Sequence, residues 1–297
     1  MDVVVTGSSG MIGRALLPAL TEAGHTVRTL VRRAPSAPGE VRWDPDAGTI
    51  DAAGLAGVDA AVHLAGEGIA EKRWSEAQKR RILESRTTGT HLLAETLAGL
   101  DPAPSVLLSG SAVGYYGDAG DVELTEAAPR GRGFLSDVVV AWEDATKPAV
   151  DAGIRTVLLR TGIVLSPTGG AMATTLPLFR LGLGGPIGRG REWWPWIALD
   201  DEVGAIVHLL TADVSGPVNL VAPSPVRNAD YTKALGRALR RPTLVPVPRF
   251  APGLLLGREL AAALLGASQR VVPERLTASG YRFRHPAIDE ALQGMFA

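Results

Sequence analysis

The chain has no cysteine, which excludes disulfides, thiolate metal sites and cysteine nucleophiles and suits a reducing compartment. Net charge is nearly absent as well: 30 Lys and Arg stand against 31 Asp and Glu, a formal −1. A polyanion partner calls for a basic excess, and pairs such as Arg80–Arg81 and Arg240–Arg241 are of the kind found on solvated helix faces. Long hydrophobic runs are also missing. The most apolar late stretch, Leu254 to Leu265, is broken by Gly257, Arg258 and Glu259, too short and too charged to span a bilayer. A strand begins directly after Met1 and Asp2, leaving no room for a signal peptide. These absences predict a cytoplasmic protein with neither nucleic acid nor membrane among its partners.

What is present is material for a sizeable core: 297 residues, 46% of them hydrophobic. The β-branched run Asp2 to Thr6 reads as a buried parallel strand. Met11 to Ala23 follows with helical spacing and stops at Gly24. Further strands are read at His25 to Val31, at Asp59 to Leu64, from Ser105 and from Ile154, with helices over Ser75 to Leu100 and Leu135 to Ala152. Strands alternating with helices of this length predict an α/β fold, a Rossmann-like, doubly wound parallel sheet. After Leu165 the texture turns to Gly, Pro and Trp, as in "LGLGGPIGRGREWWPW". The division expected is therefore a nucleotide-binding domain over 1–165 and a smaller substrate lobe over 166–297, with a strand near Val218–Val221 as a candidate to rejoin the sheet.

Gly7, Gly10 and Gly13 in "VVVTGSSGMIGRAL" lie between that first strand and first helix. Gly7 suits the sharp turn, Gly10 lets a pyrophosphate approach the backbone, and Gly13 lets the helix pack on the sheet. The helix N-terminus offers free N–H groups to phosphates. Spaced glycines alone are weak evidence, because turns need glycine anyway; the strand–turn–helix context makes them a dinucleotide signal. The second strand, "TVRTLVRR", ends in Arg32 and Arg33 with no acid to accept from a ribose 2′-OH. Guanidinium groups there suit a 2′-phosphate, so the expected cofactor is NADP(H), carried on Arg32 more than on Arg33.

With those residues in place, the chain resembles the extended short-chain dehydrogenase/reductases, and within them the sugar-epimerase-like "epimerase family". The stretches that carry the likeness include "VTGSSGMIG", "HLAGEGIAEKRW", "SGSAVGYYGD", "LLRTGIVLSPTGG" and "SQRVVPERLTASGYRF". The resemblance implies a C-terminal lobe closing a substrate cleft, and a homodimer through the long helices. It assigns Gly7, Gly10, Met11, Ile12 and Gly13 to the phosphate loop and Arg32 to the 2′-phosphate. Leu64 and Ala65 would pass along the adenine or ribose side, Arg86 would face the cofactor, and Val164 would lie near the nicotinamide.

Oxidoreductases of this superfamily use a tyrosine with a lysine four residues on, and a serine. Ser111 in "SGSAVGYYGD" matches the serine. The Tyr and Lys places, in "GFLSDVVVAWEDATK", hold Leu135 and Val139, which transfer no proton. Tyr115 is the substitute phenol, and Tyr116 reads rather as packing; no metal ligand set is in view. Glu67, Trp74 and the group Trp193, Trp194 and Trp196 are further candidates to line a cleft, while Asp200 and Asp201 read as helix caps. Two functions stand side by side on this reading. One is an NADP(H)-dependent oxidoreductase or epimerase-like enzyme on a small carbonyl, alcohol or sugar-like substrate. The other is an NADP(H)-binding sensor without turnover.

Overall fold

The computed structural model describes residues 1–297. Its central sheet has eight strands: β1 (Asp2–Thr6), β2 (Thr26–Val31), β3 (Glu40–Asp44), β4 (Thr49–Ile50), β5 (Ala60–His63), β6 (Val106–Ala112), β8 (Arg155–Thr161) and β12 (Gly216–Leu220). Three short pairs complete the set: β7 (Glu123–Leu124) with β14 (Arg270–Val271), β9 (Ile163–Leu165) with β11 (Trp196–Ala198), and β10 (Trp193–Trp194) with β13 (Val226–Arg227). The large sheet runs β12-β8-β6-β5-β1-β2-β3-β4, parallel throughout except for the β3–β4 edge hairpin. From β1 the chain passes to β2 on one side and later to β5 on the other. The carboxyl ends of β1 and β5 therefore form the switch point where open α/β sheets bind ligands.

Helices cover both faces of the sheet. They are α1 (Met11–Glu22), α2 (Glu76–Ala98), α3 (Phe134–Asp144), α4 (Lys147–Asp151), α5 (Gly170–Arg180), α6 (Leu199–Leu209) and α7 (Asn228–Leu239), followed by short C-terminal helices. Covered on both sides, β1 needs no polar alternation, and Val3, Val4 and Val5 are fully buried. Val3 and Val5 pack toward Leu16 and Leu20 of α1, and Val4 toward Leu93 and Leu97 of α2 on the opposite face. Each such side chain contributes about 1.5–3 kcal/mol by leaving water. α2 starts at Ser75, whose hydroxyl accepts from the Gln78 N–H at 3.2 Å.

Two sequence expectations change here. The helix read as continuous from Leu135 to Ala152 breaks into α3 and α4 around Ala145–Thr146. Pro148 has no N–H for the Asp144 carbonyl and its ring crowds that turn. β3 was not foreseen, because "EVRWD" buries only Val41 and Trp43, on alternating positions in a short run. No helix crosses from β2 to β3; residues 32–39 form a loop.

From β8 the chain enters a lobe whose own core includes Met172, Leu176, Phe179, Trp196, Tyr231, Leu235 and Leu292. It returns to the sheet as β12, which pairs with β8 in parallel. The final segment docks back on the sheet's carboxyl end, where Gln269 Nε2 donates to the carbonyls of Val113 and Gly117 at 2.9 and 2.8 Å. No helix is long and apolar enough to cross a membrane.

Candidate active site

The loop between β1 and α1 shows why glycine stands at two of its places. Gly7 has a φ of +68°, and a Cβ there would sit 2.7 Å from the backbone of Leu64 at the end of β5. A Cβ on Gly13 would strike the Gly7 carbonyl and stand 2.8 Å from Ser8 Cα. Gly10 is the N-cap of α1, with no side-chain cap and no acidic residue in the first turn. The first-turn N–H groups are thus left for an anion, with no carboxylate in that turn to oppose it. Met11 packs over Gly169 so closely that a Cβ there would stand 2.7 Å from its sulfur, and Ile12 packs on the main core.

Thr6, at the end of β1, organises the neighbouring strand. Its hydroxyl accepts from the N–H groups of Leu64 and Ala65 at 3.0 and 3.1 Å and lies 2.8 Å from His63 Nδ1. With two donors already on its oxygen, the Thr6 O–H donates to Nδ1, which makes Nε2 the protonated nitrogen of a neutral imidazole. Burial pulls His63 down to about 4. Leu64 and Ala65 are thereby fixed against Gly7, at the switch point.

Arg32 and Arg33 have different fates. Arg33 is committed to Glu40, with one hydrogen bond at 2.7 Å, and also donates to Ser36 and the Ala34 carbonyl. Arg32 is exposed at the end of β2, with no hydrogen bond or ion pair in the chain. The glycine cradle, the uncapped α1 terminus and this unpaired guanidinium fit an adenine dinucleotide carrying a 2′-phosphate.

Beyond the switch point lies a cleft of about 640 Å³. It is lined by Leu135, Val139 and Trp142 of α3, by Trp193 and Trp194, and by Trp74, whose ring packs edge-on against Phe134 at 4.9 Å. The floor is Ala112–Gly114, from the last residue of β6, and Thr161–Ile163, from the last residue of β8. Gly162 lets the lobe approach, since a Cβ there would lie 2.6 Å from the Pro195 carbonyl. Arg86 lines this cleft; it donates to the Glu67 carbonyl at 3.0 Å and lies 5.0 Å over the Trp142 ring. It has no carboxylate partner within ion-pair reach, and burial lowers it to about 10. Trp196, the third of the tryptophan group, is instead in the lobe core.

Ser111 and Tyr115 lie outside this lining. The Ser111 hydroxyl donates to Glu143 Oε1 at 2.6 Å. Arg160 grips the same carboxylate and donates to the Tyr116 hydroxyl at 3.1 Å, which in turn donates to Asn219. The Tyr115 ring lies under the Arg160 guanidinium, 3.5 Å from centroid to carbon. Burial pushes the Tyr116 phenol up, only partly offset by Arg160. Ser111, Glu143, Arg160 and Tyr116 form a buried network behind the cleft, of which sequence reasoning had seen only Ser111 and the tyrosines. Val164 is buried in the main core, one residue past the cleft-lining Ile163.

The sequence profile of the NAD dependent epimerase/dehydratase family matches residues 3–221, and a domain of unknown function (DUF1731) matches residues 247–295. The chain belongs to the NAD-dependent epimerase/dehydratase family. An epimerase family protein of Mycobacterium bovis is 45% identical over 291 residues, covering 98% of this chain and 96% of that one. Human epimerase family protein SDR39U1 is 40% identical, with all of both chains covered. A crystal structure of the human protein with NADPH superposes with a TM-score of 0.91 at 37% identity, over 99% of each chain. In this chain Asp201 is not the helix cap the sequence suggested. It is fully buried and accepts from the Tyr281 hydroxyl and the N–H groups of Arg284 and His285 at 3.0, 2.7 and 2.9 Å, pinning the C-terminal segment to α6.

Proposed function

We propose that this chain binds NADP(H) and reduces a small, largely apolar carbonyl compound in the cleft between α3 and the tryptophan pair. The observation that carries the reading is that cleft itself. It opens beside the switch point, and its lining is mostly aliphatic and indole surface, with polar groups such as Arg86, Arg132, Thr161 and Gln269 interspersed. Gly7, Gly10 and Gly13 with the α1 terminus would hold the pyrophosphate, and Arg32 the 2′-phosphate. Leu64, Ala65 and Arg86 would flank the nucleoside parts. A bound reduced dinucleotide supplies the hydride; the chain's own work is to hold the acceptor carbon in place and keep water out.

The likeness to a protein crystallised with NADPH supports the choice of cofactor. A second reading, a sensor of the NADP(H) pool without turnover, draws on Leu135 and Val139, which stand apolar where relatives by resemblance hold a proton-transferring pair. The deciding experiment measures NADPH and NADH binding by fluorescence, then screens apolar aldehydes and ketones beside UDP-sugars by nicotinamide absorbance. Tight NADPH binding with oxidation by an apolar carbonyl supports the reductase. Tight binding with no turnover on either class moves the assignment to the sensor.

A further inference from the structure

A carbonyl that becomes an alcohol needs one proton as well as a hydride, and on the α3 side of the cleft the one hydroxyl, Ser136, is committed to the carbonyls of Tyr115 and Gly131. The floor differs. Thr161, the last residue of β8, lines the cleft, and its hydroxyl lies 2.8 Å from Oε1 of Glu202. Glu202 is in the first turn of α6, fully buried, and its Oε2 has no partner. Its helix neighbours Val203, Ala205 and Ile206 belong to the apolar core. An unpaired carboxyl among them weakens the fold, where an aliphatic side chain would strengthen it.

We propose that Thr161 and Glu202 are the proton-delivering pair of this cleft, Thr161 giving its hydroxyl proton to the substrate oxygen and Glu202 replacing it. The inference rests on the reductase reading. In the step, the carbonyl π bond opens as the hydride adds to carbon, and the oxygen takes the Thr161 proton. The Glu202 O–H bond breaks to restore the Thr161 hydroxyl, leaving a carboxylate that regains its proton from water after the alcohol leaves.

The surroundings of Glu202 keep that proton available. No cation pairs with it, and burial, against one opposing hydrogen bond from Thr161, pushes it up to about 8. The titratable groups packed nearby are Asp201 on the same helix and Tyr281 with Arg284 on the C-terminal segment. Asp201 is occupied by the Tyr281 hydroxyl and the Arg284 N–H. A neutral Glu202 donates to Thr161 Oγ1, and the Thr161 O–H then has only the Leu159 carbonyl, at a long 3.3 Å, to leave for a ligand oxygen. A buried acid with a shifted pKa, one hydrogen bond from a cleft, is the arrangement general acids adopt.

The test uses the full chain as wild type, Glu202→Gln, Thr161→Val and Thr161→Ser. Infrared difference spectra between wild type and Glu202→Gln should show a protonated carboxyl at neutral pH, disappearing as pH rises through about 8. Addition of NADPH should move that band in wild type and leave it unmoved in Thr161→Val. On a carbonyl substrate from the screen, Glu202→Gln and Thr161→Val should each lower kcat about 10²-fold, with NADPH affinity and KM kept and Thr161→Ser active. An ionised Glu202 at neutral pH, or a band indifferent to bound NADPH, overturns the pair while leaving the reductase standing. Absence of any fluorescence response to NADPH overturns the reductase reading, and the pair with it.

Discussion

Arg160 holds Glu143 in a two-pronged ion pair, Nε to Oε1 at 2.8 Å and Nη2 to Oε2 at 2.9 Å, with side chains only 4% and 10% exposed. A pair this dry adds little against an apolar alternative, but removing one member strands a charge. Glu143→Gln leaves the Arg160 guanidinium uncompensated and weakens the acceptor of the Ser111 hydroxyl. Urea unfolding should show a loss of about 3–5 kcal/mol. A change under about 1 kcal/mol would mean that water or Tyr116 compensates the cation.

Arg32 and Arg33 are adjacent in sequence, yet only Arg33 is spoken for. Arg32→Ala should weaken NADPH binding about 10- to 100-fold, the equivalent of one charge-assisted contact, and leave NADH binding nearly unchanged. Arg33→Ala, which breaks an exposed pair with Glu40, should alter NADPH binding far less. Fluorescence titration with both nucleotides checks this, and equal losses for both after Arg32→Ala would remove the residue from the 2′-phosphate.

His63 makes the fold sensitive to acid. Its folded value, about 4, lies below the ordinary 6.5, so between those values the unfolded chain binds the extra proton. Stability from this group is present above about pH 6.5 and is lost as pH falls toward 4. The loss amounts to roughly 3 kcal/mol by pH 4. Unfolding free energies of wild type and His63→Asn, followed from pH 7 to 4, should diverge in slope by up to one proton. Parallel curves would show that the imidazole finds a charged-state partner on acidification.

Glu202 acts in the opposite sense. Its value is raised from 4.5 to about 8, so between those values the folded chain holds the extra proton. The fold should therefore lose stability as pH rises through this window, and Glu202→Gln should flatten that decline. Thermal melts of the two chains from pH 5 to 9 suffice to measure it. A wild-type curve no steeper than that of Glu202→Gln would place an unseen donor on Oε2.

The nucleotide half was legible in the sequence because its constraints are local. Gly7 is demanded by a left-handed turn and Gly13 by a helix approach within a dozen residues, though Gly7 also faces Leu64 far along the chain, and the apolar runs of β1 and β6 have no other use than a covered sheet. The polar contacts in and behind the cleft were not legible, because they join distant residues. Glu143 meets Arg160 across 17 residues, and Thr161 meets Glu202 across 41. Neither pair has a spacing that a sequence pattern could reveal. Ser111 was found by resemblance, but its orientation depends on Glu143, which the sequence offers as one more acid on an amphipathic helix. Asp201 misled for a similar reason. Acids near a helix start usually cap it, and the tail that claims this one lies some eighty residues later.

The return of the chain to the sheet as β12 binds the two lobes together more than their sequence textures suggest. β12 covers the outer edge of β8, so a cut after Leu165 would strip a neighbour from a strand whose backbone groups then face water or another molecule. The lobe is thus sewn in rather than appended. Chain enters it after β8, leaves it through α6 to form β12, and enters it again before α7. It leaves once more for β14 and the Leu276 helix on the sheet side and comes back as the last helix, so any opening of the cleft must bend at all five seams together, which favours small rocking over wide excursion.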